Sequence, residues 1–138
     1  VFGPYERPVQ YYETDRMKIV HHSNYVRWFE EARLYFLESI GLPYDRLEET
    51  GILIPVLSVD VQYKKAFTFG DTFQIFLKCV RFNGVKCEFK YEVRDKETGE
   101  VRTTGGSSHC FVTEDMKPFH MKMLYPDIFD TLKACVKE

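Results

Sequence analysis

Between Tyr25 and Ile40, apolar side chains recur at steps of three and four, at Tyr25, Trp28, Phe29, Ala32, Tyr35, Phe36 and Ile40. This is the period of an α-helix, and Val26, Leu34 and Leu37 widen the stripe, so the predicted helix is enclosed on most of its circumference. Ser23 or Asn24 suits its N-cap, and Gly41 followed by Pro43 stops it near Ile40. Ahead of it, Glu6 to Glu13 is rich in extended-favouring residues (Val9, Tyr11, Tyr12) and predicts a first strand, joined to the helix by a polar loop from Thr14 to His22. A short helix from Tyr44 to about Thr50 follows, closed by Gly51.

Beyond Gly51 the period changes to two. Ile52–Lys65, Thr72–Phe82, Val85–Arg94 and Glu100–Thr113 each read as a strand, with Phe73, Ile75, Leu77 and Cys79 sharing one face of the second. Asn83-Gly84 and Asp95–Gly99 supply the last two turns, and an antiparallel meander is the expected pairing. Asp127 to Val136 closes the chain as a short helix with Ile128, Phe129, Leu132 and Cys135 on one side. A strand, a largely apolar helix and four more strands predict an α+β fold, one sheet curled around a central helix. A second copy is the simplest cover for the helix face left over.

Composition narrows the function classes. The 138 residues, without repeat or linker, read as one domain spanning 1–138. The 44 % hydrophobic content is that of a filled core, yet no segment reaches the roughly 20 apolar residues of a membrane span. A net charge of -2 with interspersed signs excludes a broad nucleic-acid surface. Cys79, Cys87, Cys110 and Cys135 form no CxxC pair, and Val1-Phe2-Gly3-Pro4 shows no secretion signal; both point to reduced thiols in a cytoplasmic protein.

Candidate chemistry concentrates in the loop. Asp15 follows a strand and stands seven residues before His22, at the entrance of a helix whose first amides have no intrahelical partner. Those N–H groups and the positive end of the helix dipole suit a carbonyl oxygen gaining negative charge. If the loop folds Asp15 over the helix start, its carboxylate faces the same carbon, which suits acyl transfer by direct attack or by proton removal from water. A thioester is the best match, because its thiol, of pKa about 8.5, leaves without a general acid. The competing reading of Asp15 is a turn former, and spacing alone does not separate the two. His21-His22 lacks metal-ligand spacing, and Ser107-Ser108-His109 is no GxSxG elbow. Lys64, Lys65 and Arg81, with Lys86, are the local cations best placed for phosphates.

Tyr11-Tyr12-Glu13-Thr14-Asp15, Ile19-Val20-His21-His22-Ser23-Asn24-Tyr25 and Trp28-Phe29-Glu30-Glu31-Ala32-Arg33 closely resemble the opening of the 4-hydroxybenzoyl-CoA thioesterase-like and YbgC-like branch of the hotdog-fold acyl-CoA thioesterases. The likeness continues through Tyr63-Lys64-Lys65, Gly70-Asp71 and Lys117-Pro118. It implies a curved five-stranded antiparallel sheet around one central helix, in a homodimer or homotetramer with active sites between subunits. It further implies hydrolysis of acyl-CoA, coenzyme A being part of the substrate and no other cofactor needed. Asp15 matches the family's catalytic carboxylate and His22 the residue whose amide polarises the thioester carbonyl. Tyr25, Lys64, Lys65 and Arg81 are the substrate-binding candidates, the lysines toward coenzyme A, with the acyl group against the partner's strand near Pro55 to Tyr63. Relatives commonly carry Gly two or three residues after the Asp, where this chain has Arg16-Met17-Lys18. A module that binds acyl-CoA or an acyl carrier protein without hydrolysis is the alternative from another class.

Overall fold

The computed structural model describes residues 3–137; Val1 and Phe2, part of the stretch read for a secretion signal, lie outside the described residues. Five strands, β1 (Tyr5–Pro8), β2 (Val56–Tyr63), β3 (Thr72–Phe82), β4 (Lys86–Asp95) and β5 (Val101–Cys110), form one antiparallel sheet in the order β1-β3-β4-β5-β2. Helix α1 (Ser23–Ser39) packs on its inner face, α2 (Tyr44–Glu49) follows, and α3 (Met121–Leu124) and α4 (Pro126–Ala134) close the chain. The α+β reading with a central helix holds.

Two expectations need correction. The first strand stops at Pro8 rather than Glu13, because Tyr11–Glu13 coils into a 3-10 turn that leaves Tyr11 and Tyr12 about three-quarters exposed. And β2 joins the sheet beside β5, not β3, so only β3, β4 and β5 form a meander. At the Asn83-Gly84 turn, Gly84 has φ 88 at the first central position, and Asn83 Oδ1 accepts the Val85 and Lys86 amides. That is the glycine placement of a II′ turn.

The apolar stripe of α1 becomes the core. Trp28 stacks on Phe73 with centroids 3.9 Å apart, and Phe29 on Tyr91 at 4.1 Å. Each such ring contributes about 1.5–3 kcal/mol by leaving water. Phe29 fits because β5 carries no side chain beneath it: a Cβ on Gly105 would lie 2.7 Å from the Phe29 ring and 2.5 Å from the Asp60 carbonyl oxygen. All four cysteines are free. Among the described residues no helix is long and apolar enough to cross a membrane.

Candidate active site

The loop before α1 is a small fastened hairpin. Thr14 bridges Val20, the Asp15 amide donates to the Ile19 carbonyl at 2.9 Å, and Lys18 closes the turn with φ 66. This is the left-handed conformation that glycine takes without penalty, and Lys18 is the third residue after Asp15, within the span where the resemblance led Gly to be expected. The Val20 amide ties the hairpin to the Phe67 carbonyl at 2.9 Å. Asp15 is half-buried; its Oδ1 accepts the Met17 amide at 2.8 Å, as a turn former would. Its Oδ2 accepts no hydrogen bond among the described residues, and neither Arg16 nor Lys18 pairs with it there.

Glu13, to which sequence reasoning assigned no role, fixes everything around it. Its carboxylate, 2 % exposed, accepts both Nη groups of Arg7 (2.9 and 2.7 Å), the Gln10 amide (2.8 Å) and Trp28 Nε1 (2.7 Å). Burial alone would raise its pKa; the bonds from Arg7, Trp28 and Gln10 outweigh burial and lower it. Its backbone carbonyl accepts the His21 amide and Asn24 Nδ2, both at 2.9 Å, which lashes the start of α1 to the residue two before Asp15. One clue was available, since a buried indole N–H requires an acceptor.

His22, rather than Ser23 or Asn24, is the N-cap of α1, in helical conformation and without a side-chain cap. Nothing among the described residues accepts its backbone N–H. Its imidazole lies against the His21 ring at 4.2 Å, and its carbonyl accepts Tyr63 Oη at 3.1 Å. Tyr63, quoted above only within a motif, therefore closes one side of the helix start. Tyr25 is 2 % exposed and packs into Tyr63, Trp28 and Phe67, so in this chain it backs Tyr63 rather than facing solvent.

The cations separate. Lys64 and Lys65 are exposed beyond the end of β2, their amides on the Arg102 carbonyl; Lys65 pairs with Glu100 at 3.3 Å, and Lys64 has no ionic partner among the described residues. Gly70-Asp71 belongs to the same end, where Asp71 accepts from Arg102 at 3.1 Å and from the Thr68 amide at 2.8 Å. Arg81 sits at the opposite end of β3, paired with Glu88 at 3.3 Å. Nine steps of strand from Thr72 put it about 30 Å from the lysine end, so one chain does not bring all three cations together. Between α1 and the inner sheet face lies a cavity of about 360 Å³, its mouth at Val26, Leu34 and Val56 and its walls including Ile54, Phe89 and His109. Among the described residues no cluster of three His, Cys, Asp or Glu side chains is placed to hold a metal.

The sequence profile described as the thioesterase-like superfamily matches residues 9–123. The chain belongs to this superfamily. By that membership it is a thioester hydrolase. Among relatives of this thioesterase-like chain, a provisionally named acyl-CoA thioesterase of Bacillus subtilis, YneP, is 34 % identical over 123 residues, 88 % of each chain. The fold matches the DHNA-CoA thioesterase of Staphylococcus aureus with a TM-score of 0.90 and 30 % identity, over 96 % of this chain and 89 % of that one. A hypothetical protein of Aquifex aeolicus matches with a TM-score of 0.85 and 33 % identity, over 94 % and 98 %. The hotdog architecture expected from the sequence is therefore the one this superfamily member has.

Proposed function

We propose that the protein hydrolyses acyl-CoA thioesters, with the Asp15 carboxylate as nucleophile or general base and the His22 amide as donor to the developing oxyanion. One observation carries this reading: the His22 N–H has no acceptor among the described residues, while the Glu13 carbonyl, two residues before Asp15, is fastened to His21 and Asn24 at that same helix start. As tetrahedral charge forms on the carbonyl oxygen, the amide and the dipole of the 17-residue α1 hold it. The carbon–sulfur bond then breaks and the thiolate leaves with its electron pair. The carbonyl carbon gains its oxygen either from Asp15, as a mixed anhydride that water opens, or from water deprotonated by Asp15.

The site is completed by a second copy. β2 is an edge strand of eight residues, exposed along almost its whole length, with Val56 and Leu57 each at 51 % and Val59 at 41 %. An uncovered apolar edge of this kind is a template for another strand, and a homodimer formed by antiparallel self-pairing of β2 buries it. About that two-fold axis, the Val56 end of one copy lies beside the Tyr63 end of the other. The cavity of one subunit then adjoins the His22 helix start of its partner, and the Arg81 end of one sheet lies on the same side as Lys64 and Lys65 of the other. These three cations are the groups for the coenzyme A phosphates.

Release of free thiol from a panel of acyl-CoAs tests the reading. Wild type turns over at least one member and Asp15→Asn does not; equal rates in the two overturn the role of Asp15, and an inert wild type leaves a binding-only module. Single turnover in heavy-oxygen water separates the routes, since only the anhydride leaves label in the Asp15 side chain. Val59→Asp sets like charges together across the paired edges; sedimentation then shows monomer, and hydrolysis falls with the dimer.

A further inference from the structure

The cavity between α1 and the sheet has Glu30 and Arg33 of α1 and His109 of β5 as polar lining, and His109 stands at the end of a chain of side-chain hydrogen bonds that begins at Arg33. Arg33 Nη1 donates to Tyr91 Oη at 3.1 Å, Tyr91 Oη lies 2.6 Å from Ser107 Oγ, and Ser107 Oγ lies 2.8 Å from His109 Nε2. A guanidinium has donors only, so the Tyr91 oxygen accepts from it and the phenolic hydrogen goes to Ser107. Ser107 accepts that hydrogen and spends its own on His109 Nε2. With Nε2 an acceptor, the neutral imidazole carries its hydrogen on Nδ1. His109 is 1 % exposed, lines the cavity, and Nδ1 has no partner among the described residues. Around it the walls carry Ile54, Val56, Phe89, Phe111 and Leu132, with Glu30 and Arg33 on the α1 side.

We infer that this cavity selects the acyl group of the substrate, taking an acyl chain with an apolar body and one oxygen acceptor remote from the thioester, which receives the His109 Nδ1–H. The inference rests on the thioesterase reading above. Tyr91 and Ser107 are positioning residues that set the tautomer, while Arg33, which also lines the cavity, anchors the chain of bonds at Tyr91.

The test uses non-hydrolysable thioether analogues of acyl-CoA in matched pairs, equal in length, with a methylene or an ether oxygen or ketone at the same remote position. Calorimetric titration of wild type is expected to show the oxygen-bearing analogue bound about 10-fold tighter than the all-carbon one, a hydrogen bond worth about 1.4 kcal/mol. His109→Leu removes that preference and keeps affinity for the all-carbon analogue. Ser107→Ala retains the ring but loses the lock, and nitrogen-15 shifts of His109 move from the Nδ1–H tautomer toward a mixture. Equal binding of the matched analogues by wild type, or a preference that survives His109→Leu, overturns the inference. Because binding is read without turnover, an inert panel in the hydrolysis assay sinks the catalytic reading separately.

Discussion

Glu13 and Asp15 are two carboxylates two residues apart in sequence, and they occupy opposite regimes. Glu13 is sealed from water, and donors from Arg7, Gln10 and Trp28 fill its lone pairs. Asp15 is half-buried with a single amide on Oδ1. A carboxylate whose acceptor sites are all taken has no capacity left for a substrate; it holds geometry. One with an unoccupied oxygen keeps that capacity. The conspicuous charged group in the interior is thus the one that holds the loop, and the less conspicuous one is the carboxylate that we propose as the reacting group.

Substitutions can break this contrast directly. The largest effect is expected for Asp15→Asn, a loss of about 10³-fold in kcat, equivalent to about 4 kcal/mol, with an unchanged melting temperature. Glu13→Gln should do the reverse: it leaves Trp28 without its charged acceptor and Arg7 with only Glu31, and costs about 3 kcal/mol in urea unfolding. If Glu13→Gln unfolded no more readily than Asp15→Asn, the division of labour would be wrong.

Acid separates the buried polar groups further. His109 has its pKa lowered to about 4, chiefly by burial and then by Arg33. Its neutral folded form contributes stability that is fully present above the unfolded value of about 6.5 and is lost as pH falls toward 4, roughly 3 kcal/mol in all. Glu13, with its pKa lowered, contributes only above the unfolded value of about 4.3 and loses that below it. Urea titrations at pH 7 and 4.5 should therefore show a slope that His109→Leu flattens and Glu13→Gln does not. The smallest effect belongs to Lys18→Gly, which relieves a left-handed φ of 66 and should stabilise the hairpin by about 0.5–1 kcal/mol.

How much of this was legible beforehand follows the range of the interactions. The stripe from Tyr25 to Phe36 named the central helix, and Asn83-Gly84 its hairpin, because both are local patterns. Strand order was not, since nothing within Val56–Tyr63 distinguishes β5 from β3 as its neighbour. Tyr11 and Tyr12 favour extended backbone by type, yet the Gln10–Glu13 bonds to the Arg7 network coil them outward. Asp15 was singled out through its neighbours in the chain. Glu13 needed Arg7 and Trp28, which only the folded chain brings within reach, and the separation of Arg81 from Lys64 needed the length of β3.

The bare backbone at Gly105 reaches further than its own strand. Phe29 rests in the space a Cβ would fill, and Phe29 and His22 are seven residues apart on or at the cap of α1, close to two whole turns. The helix can settle on β5 at one azimuth only. A roll of about 20° would carry a backbone atom at a radius of about 2.3 Å through roughly 0.8 Å. That is enough to spoil the aim of an amide donor at a reacting oxygen. A hydrogen atom in place of a methyl group, two helical turns away, is thus the sighting mark for the amide that we propose as the oxyanion donor.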